Sequence, residues 1–393
     1  MKKILIVCSH YLDDSDANAI CVRNLVDEFD KNGINSLIIT DEPQKNRFEY
    51  SQSIFYVKSS FYERITNYKK NYFESILFYV YSFIRRVLNL FLFPNVSPIR
   101  SLKVFKLAKK IIQKENIEQV LVTYRPFESI KTGLMIKKRM KNGIKVIAYH
   151  LDNLEDSTNK GKFISKFLES KVKRVFNKEK KLFDKILLTV TSRLYSSNSI
   201  KVGFPIIKDY SLNPVSLSFE KGYIHFSYIG TLDDYNRNPK EVFSFFEKFH
   251  KLVPLQIHIW GKISESIADY IKDNVKFLKY HGFIEQKYTE YIYKKSDYLL
   301  NFGNMVTKTM LPSKVFRLFA TKKPIISFNY FDDSSIQYLK EYKATLLISY
   351  DMLKDPNTEL AMLDFINIKK FDFETSHLNE PFKVDYVVKK IIC

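Results

Sequence analysis

The sequence predicts an α/β protein of two consecutive Rossmann-like domains, each a doubly wound parallel sheet. Length is the first reason, because 393 residues exceed one domain of ordinary size. The second is that short apolar, β-branched runs alternate with helical stretches in both halves, as in βαβ units. The third is a break near residue 200, where SIKVGFPIIKDYSLNPVS loses the helical period and carries two prolines. We therefore predict domains at 1–203 and 204–375, followed by a terminal helix at 376–393.

Six strands are predicted in each half, and helices occupy the stretches between them. One such helix, ANAICVRNLVDEFDKNG, ends at Gly33, as expected of a C-cap glycine. Neither half contains the GxGxxG fingerprint of dinucleotide-binding domains. Because two doubly wound domains follow each other, a cleft between them is the expected ligand site. The predicted strands are 3–9, 36–40, 54–58, 118–124, 145–150 and 185–190 in the first half, and 224–231, 255–261, 275–282, 297–303, 323–328 and 344–350 in the second.

The composition favours an anionic partner. Lys and Arg number 63 against 43 Asp and Glu, a formal net charge of +20, which suits nucleic acid, an anionic membrane leaflet or a phosphorylated substrate. Nucleic acid is the least favoured, because the chain has no zinc-finger spacing and no RNP1-like aromatic run. Cys8, Cys21 and Cys393 form no spaced framework, which predicts reduced thiols in the cytoplasm. The N-terminal apolar run is too short for a signal peptide.

A hydrophobic segment at about 72–93 predicts an amphipathic helix. Its central part, SILFYVYSFIRRVLNLFLF, has Arg85 and Arg86 in the middle, so it does not fit a membrane span. On a helix its polar residues fall within an arc of about 100°, and the remaining circumference is apolar. This pattern is typical of a helix that lies in the membrane interface with its basic side chains toward phosphates. Packing into the protein's own core or against a partner subunit would use the same apolar face and stays open.

Two helix starts in the second half are candidate anion sites, because free N–H groups and the helix dipole converge there. The first follows strand 224–231, where Arg237 precedes the next helix. The second follows strand 297–303, where LPSK places Ser313 and Lys314 in a first turn. A cation in the first turn opposes the dipole, so Lys314 has no local structural reason to be there. A diphosphate ligand would supply one.

The end of strand 145–150 is the candidate position for acid–base chemistry. Strand ends at the carboxyl edge of such a sheet face the ligand cleft, and His150 and Asp152 occur there. Histidine accepts a proton near neutral pH, so both residues are candidates for contact with an acceptor hydroxyl. His10, after the first strand, has the same topological position. The triplet DSD at 14–16 has the form of a metal-binding DxD but is expected to be a solvated loop, and no His or Cys spacing suggests a metal.

The similarity to a known family is sharpest in the second half. The segments LNFGN (300–304) and LPSKVFRLFATKKPIISF (311–328) resemble the GN loop and the P-S-K-x-F-E-Y-x-x-x-G-K-P-I-I pattern of GT-B glycosyltransferases of the family-4 type. Bacterial enzymes that build capsule, exopolysaccharide or O-antigen are the most similar group. YIGTL (228–232), IWG (259–261) and YHGFI (280–284) support the resemblance. The similarity in layout covers essentially the whole chain.

The resemblance implies a nucleotide sugar, UDP-linked, in the second domain, with Arg237 and Lys314 at its diphosphate. His150 would lie near the transferred sugar, and the terminal helix would cross back to the first domain. That domain would take a lipid-linked or glycan acceptor at the inner face of the cell membrane. Transfer in this family is usually retaining and metal-independent, so no cofactor is expected. The implied donor-binding residues are Gly230, Thr231, Arg237, Asn304, Ser313, Lys314 and Arg317.

Three positions depart from the family pattern. Family members often have two glutamates, eight positions apart, that hold the sugar and the ribose; Thr309 and Arg317 occupy those positions here. An arginine cannot accept the protons of the ribose hydroxyls. Lys322 occupies the position of the usual glycine. A hexosyltransferase is the leading hypothesis. A non-catalytic GT-B subunit that binds a glycan or a partner glycosyltransferase is the alternative, possibly as a homodimer, and a nucleotide-sugar epimerase is a third possibility.

Overall fold

The structure is a computed structural model that places most of the chain. The predicted helix at about 72–93 lies largely outside the described residues, as do Arg85, Arg86 and Thr309. The described residues are 2–13, 16–42, 53–58, 87–95, 97–124, 126–140, 143–155, 162–208, 214, 218–274, 277–306, 313–374 and 376–393.

The chain forms two compact units. The first comprises Met1–Lys208 together with Pro381–Cys393, and the second comprises Asp209–Glu380. Each unit is built on its own parallel sheet with alternating helices, as the sequence predicts.

The first sheet has seven strands in the order β3-β2-β1-β4-β5-β6-β7, and all adjacent pairs are parallel. From β1 the next strands, β2 and β3, are added on one side, and β4 to β7 are added on the other. β1 and β4 therefore flank the topological switch point. The sequence predicted six of these strands and missed the short edge strand β7. The strands are β1 Lys2–Val7, β2 Ile34–Asp41, β3 Ile54–Val57, β4 Gln119–Tyr124, β5 Lys145–His150, β6 Lys185–Thr189 and β7 Ser199–Val202.

Helices cover the strands of the first unit. Side chains at alternate positions, such as Val120 and Val122 of β4 or Val146 and Ala148 of β5, enter one apolar core, and Phe176 packs there from the helix before β6. Residues 87–92 are also helical. The long helices of this unit are α1 Ala17–Lys31, α2 Pro98–Glu115, α3 Phe127–Arg139 and α4 Lys162–Leu182.

The second sheet has six strands in the order β10-β9-β8-β11-β12-β13, again all parallel. Here β8 and β11 flank the switch point. The strand predicted at 275–282 is shorter than expected, because only three residues pair with β9. The strands are β8 Ile224–Ile229, β9 Leu255–Trp260, β10 Leu278–Tyr280, β11 Tyr298–Phe302, β12 Ile325–Asn329 and β13 Thr345–Ser349.

The helices of the second unit supply an aromatic core against this sheet. Phe243, Phe246 and Phe249 of the first helix are fully buried and meet Phe226 and Phe328 of the strands. The helices are α5 Lys240–Phe249, α6 Glu265–Asn274, α7 Gln286–Lys295, α8 Ser313–Ala320, α9 Ile336–Glu341, α10 Pro356–Ile366 and α11 Ser376–Asn379.

The terminal helix, α12 Val384–Ile392, belongs to the first unit, as the sequence predicts. It buries Val384, Val387, Val388 and Ile391 and packs on α1. Its last turn is also bonded to the sheet, because Gln119 Nε2 donates to the carbonyl of Ile391 at 3.1 Å.

Among the described residues, no helix is long and apolar enough to cross a membrane.

Candidate functional site

Two glycines form the base of the candidate site in the second unit, at the carboxyl ends of β8 and β9. The N–H of Gly230 donates to the carbonyl of Trp260 at 2.8 Å. Gly261 has a φ of +119°, and a β-carbon there would lie 2.1 Å from the carbonyl oxygen of Gly230. Only glycine fits at position 261, because both its conformation and the space require it. We call Gly230 and Gly261 the glycine floor.

Lys314 lies directly on the glycine floor. A β-carbon added to Gly230 would come within 2.1 Å of the Lys314 Nζ atom. The amine is 5.7 Å from the centroid of the Tyr228 ring. Lys314 makes no hydrogen bond or ion pair with any residue that the structure describes. Burial, then the positive charges of Arg237 and Arg317, lower the pKa of Lys314 to about 7. Among the residues that the structure describes, this amine therefore has no anionic partner.

Arg237 reaches the same place from the loop after β8. Its Nε atom donates to the carbonyl of Phe302, the last residue of β11, at 3.2 Å. The loop is held in shape by two backbone hydrogen bonds between Asp233 and Arg237, of 3.1 and 3.3 Å. The guanidinium group is thereby fixed at the switch point between β8 and β11, where ligands of doubly wound sheets bind.

Asn304 lies in the loop that follows β11. It is buried, and its side-chain oxygen accepts from the N–H of Val306 at 2.7 Å. The same loop is joined to the loop of Arg237, because the N–H of Met305 donates to the carbonyl of Asn236 at 2.8 Å. The two loops at the switch point therefore form one bonded structure.

Arg317 lies one turn after Lys314 in α8. Its Nη2 atom donates to Thr289 Oγ1 of α7 at 2.5 Å. The charge of Arg317 also acts on Tyr293, whose pKa burial raises to about 12. Arg317 is thus held on the α7 side of the site and adds a third positive charge close to Lys314.

The remaining predicted donor residues have simpler surroundings. Thr231 is exposed, and its carbonyl accepts from the Tyr228 hydroxyl at 3.0 Å. Ser313 begins α8, but its side chain lies outside the described residues. The structure thus brings Gly230, Arg237 and Lys314 together at the carboxyl edge of the second sheet.

In the first unit, His150 is buried rather than open to solvent. Its Nε2 atom lies 2.7 Å from Glu179 Oε2 of α4, and the two side chains are 1% and 0% exposed. His150 shares the face of β5 on which Val146 and Ala148 enter the core. Within the described part of the chain, His150 Nδ1 has no hydrogen-bond partner. Since the Nε2 proton is held by the carboxylate, Nδ1 is left as a proton acceptor.

Glu179 was not predicted from the sequence. It is one of few acidic residues in a strongly basic helix, so the sequence suggests an exposed position for it. It nevertheless continues the buried stripe of Leu168, Val172 and Phe176 at helical spacing. That position on the apolar face was the available signal.

The other first-unit candidates lie near the start of α1. Asp152 Oδ2 accepts from Asn18 Nδ2 at 3.0 Å. His10 is exposed and has a φ of 54°. In the DSD triplet, only Asp16 is described, and it is not merely solvated: it caps α1, accepting from the N–H groups of Asn18 and Ala19 at 2.7 and 3.1 Å. Over the described ranges, no group of His, Cys, Asp and Glu could hold a metal ion.

Comparison with known proteins identifies the fold of the chain but no sequence family. No family model and no curated protein matches the sequence. Solved structures that are similar over the whole chain include the following three. A glycosyltransferase from Rickettsia africae ESF-5 has a TM-score of 0.58 and 11% identity, with 100% of this chain and 97% of that chain covered. UDP-GlcNAc 2-epimerase from Methanocaldococcus jannaschii gives 0.56 and 12%, covering 100% and 98%. The S. aureus MnaA–UDP complex gives 0.54 and 11%, covering 100% and 95%.

The class that these similarities define is the GT-B fold, as the sequence predicts. Glycosyltransferases and UDP-sugar enzymes occur among the structures that share it.

Proposed function

We propose that the protein is a GT-B glycosyltransferase that moves a hexose from a UDP-linked sugar to a lipid-linked or glycan acceptor in bacterial surface polysaccharide synthesis. The observation that carries the proposal is the Lys314 amine on Gly230, in the electrostatic range of Arg237 and Arg317 and without a carboxylate partner among the described residues. A diphosphate would supply negative charge to the Lys314 amine. The S. aureus MnaA complex with UDP supports this ligand class.

Stabilisation of the leaving diphosphate is the proposed catalytic role of this cluster. When the bond from the sugar to the diphosphate breaks, negative charge grows on the leaving oxygen. Lys314, Arg237 and the N-terminus of α8 meet that charge in a fixed arrangement, so they stabilise the transition state more than the bound donor. Two side-chain cations and a helix terminus can perform this task without a metal.

Arg317 would contribute a further positive charge at the same site. Because arginine only donates hydrogen bonds, it would not hold ribose hydroxyls as a glutamate does. Its bond to Thr289 keeps it beside Lys314. We propose that it binds the phosphate end of the donor.

His150 is the proposed proton acceptor for the acceptor hydroxyl, a role that requires its buried Nδ1 to become accessible when the acceptor binds. Glu179 would keep the proton on Nε2 and stabilise the imidazolium once Nδ1 has taken a proton. Asp152 would orient a group at the same strand end.

A surface of the first unit suits an anionic membrane, where a lipid-linked acceptor would be met. Exposed apolar side chains occur on the helical residues 87–92 and at the starts of α2 and α4. Lys171 joins two of these elements by donating to the carbonyl of Leu90 at 2.9 Å. Apolar side chains flanked by lysines favour binding to anionic lipid. The exposed residues are Val87, Leu88, Phe91, Leu92, Ile99, Leu102, Ile164 and Phe167.

The test is ligand binding followed by turnover. Purified protein is heated with UDP, GDP, ADP or CMP and their sugar conjugates, with and without magnesium. A ligand at a hundred times its Kd should stabilise the folded state by about 2.7 kcal/mol. Lys314→Ala should remove the shift, while Lys340→Ala, an exposed lysine on α9, should keep it. The absence of any shift from a folded sample contradicts the proposal and favours the non-catalytic subunit.

An epimerase is the second candidate, because UDP-GlcNAc 2-epimerase from M. jannaschii shares the fold over the whole chain. The two activities separate in one assay. An epimerase changes the sugar of the donor without an acceptor, whereas a transferase releases UDP only as product forms on one.

A further inference from the structure

Two tyrosine side chains at the carboxyl edge of the second sheet donate to the same backbone carbonyl. Tyr330 follows β12 and Tyr350 follows β13. Their hydroxyl oxygens lie 2.9 and 3.0 Å, respectively, from the carbonyl oxygen of Asn238. The two rings are stacked, with centroids 3.5 Å apart and an angle of 17° between the planes. A carbonyl oxygen has two lone pairs, so it can accept from both hydroxyls. We call Tyr330 and Tyr350 the tyrosine pair.

The hydroxyl groups are what distinguish the tyrosine pair from the other aromatic residues around it. Both rings pack against the core that contains Phe243 and Phe246, and phenylalanine would serve that packing equally well. Burial raises the pKa of both hydroxyls, so they keep their protons and remain donors. A buried hydroxyl is costly unless it is hydrogen-bonded. Here both hydroxyls donate to one acceptor, which makes that acceptor the feature to explain.

The shared acceptor lies directly beside the candidate anion site. Asn238 follows Arg237 in the sequence and precedes Pro239, which caps α5. The carbonyl of Pro239 accepts the first hydrogen bond of that helix, from the N–H of Phe243 at 2.8 Å. The carbonyl of Asn238 therefore lies just before the helical hydrogen bonds begin, and side chains must satisfy it. The tyrosine pair does so.

The backbone is held on both sides of Arg237, by different strands. On one side, the carbonyl of Asn236 accepts from the N–H of Met305, in the loop after β11, at 2.8 Å. On the other side, the carbonyl of Asn238 accepts from the tyrosine pair, after β12 and β13. The loop that carries Arg237 is thereby joined to the ends of three strands that follow β8 in the order of the sheet.

A fixed backbone matters for the guanidinium group of Arg237. Its Nε atom donates to the carbonyl of Phe302 at 3.2 Å, and this bond sets the plane of the group only if the backbone stays in place. Arginine binds phosphate through a rigid planar fork of donors, which loses little freedom on binding when it is already oriented. A loop that must first be ordered by its ligand lowers the affinity. The tyrosine pair orders the loop before a ligand arrives.

We propose that Tyr330 and Tyr350 are positioning residues for Arg237. Their hydroxyls fix the carbonyl of Asn238, and this keeps the guanidinium group at the switch point in the orientation that binds an anion. The effect on binding rests on the proposed function, whereas the hold on the loop does not.

The experiment removes both hydroxyls and keeps both rings, in the double variant of Tyr330→Phe and Tyr350→Phe on the full chain. Hydrogen exchange of the amides in residues 232–239 is followed by mass spectrometry, and binding of UDP and of inorganic pyrophosphate by calorimetry. We expect the amides of Asp233 and Arg237, which bond to each other's carbonyls, to exchange about fivefold faster or more, the factor that corresponds to one ordinary hydrogen bond. Both ligands should bind about fivefold more weakly or worse, for the same reason. Each single variant serves if the double variant does not fold.

Two further variants separate positioning from a general loss of stability. Tyr298→Phe is the matched control, because Tyr298 is as buried as Tyr350, at 8% exposure, and its hydroxyl donates to the carbonyl of Ile366 at 3.0 Å from the opposite end of β11. It should lower the melting temperature but leave loop exchange and ligand affinity unchanged. In an Arg237→Ala background, loss of the tyrosine hydroxyls should cause no further loss of affinity, because they act through Arg237.

The outcomes separate the positioning role from the proposed function. Unchanged loop exchange in the double variant disproves the hold on the loop. Faster exchange with unchanged affinity, or an equal loss of affinity with and without Arg237, disproves positioning through Arg237. If exchange is faster but the wild type binds neither UDP nor pyrophosphate, the hold on the loop stands and the proposed function fails. If pyrophosphate alone binds, its affinities decide the positioning role, and the nucleotide donor is wrong.

Discussion

The Nζ atom of Lys314 lies 2.1 Å from the position that a β-carbon on Gly230 would occupy. The glycine is therefore what allows the amine to reach the carboxyl end of β8. Both residues belong to motifs separated by more than eighty positions in the sequence, so this contact is where the two parts of the candidate site meet.

Gly230→Ala should weaken UDP binding by more than about tenfold, since the loss of one charge-assisted contact is worth roughly 1.5–3 kcal/mol. The methyl group would also lie 2.7 Å from the hydroxyl of the buried Tyr228, so the melting temperature should fall as well. Isothermal titration with UDP checks the first statement and a thermal scan the second. Unchanged affinity would show that the amine does not need this position to bind.

The pH dependence of binding should report Lys314. Its pKa of about 7 in the free protein must rise when an anion binds, so the complex takes up a proton above pH 7. Affinity should then fall by up to about tenfold per pH unit above 7. Lys314→Arg, which stays charged, should abolish this dependence. A wild-type affinity that is constant from pH 7 to pH 9 would exclude Lys314 from the anion site.

Without ligand, the effect of this pKa is on folding stability, and stability increases with pH. The unfolded chain binds the lysine proton up to about pH 10.4, whereas the folded protein releases it near pH 7. The unfolded state therefore binds more protons between these values, and stability should rise with pH across that range. Urea unfolding at pH 7 and pH 9 measures the difference, and Lys314→Met should reduce it.

Glu179→Gln should lower turnover more than it lowers stability. Glutamine can still accept from His150 Nε2, so we expect a loss of about 1 kcal/mol in unfolding free energy. The neutral amide cannot stabilise an imidazolium, however, and the pH profile of turnover should move. Glu169→Gln, an exposed position of the same helix, is the matched control. A variant with normal turnover and an unaltered pH profile would assign the His150–Glu179 pair to stability alone.

Phe91→Ser should reduce binding to vesicles that contain phosphatidylglycerol. Phe91 is 68% exposed, so its loss removes apolar surface without opening the core. Leu252→Ser, at an exposed position of the second unit, is the control. Sedimentation with phosphatidylglycerol vesicles and with phosphatidylcholine vesicles separates charge from apolar contact. Equal sedimentation of both variants would place membrane contact elsewhere.

The strands were predictable because buried parallel strands read as apolar runs, such as KILIV in β1 and QVLVTY in β4. The edge strand β7 was not, since it has only four residues and Lys201 faces solvent. The contact between Gly230 and Lys314 was predictable only through the family resemblance. The hydrogen bonds that join His225, His258 and His281 in series depend on strand register, which pairs His225 with Gln256 and Ser227 with His258. Single histidines on separate strands give no sign of such a register.

The position of α12 sets an order on synthesis. The first unit needs residues Val384–Ile392 to cover α1, and the carbonyls of Lys390 and Ile391 accept hydrogen bonds from Lys185 and Gln119. Every residue of the second unit leaves the ribosome before this helix does. Part of α1 therefore stays uncovered until the carboxyl-terminal half has been made. The second unit can fold before the first unit is complete.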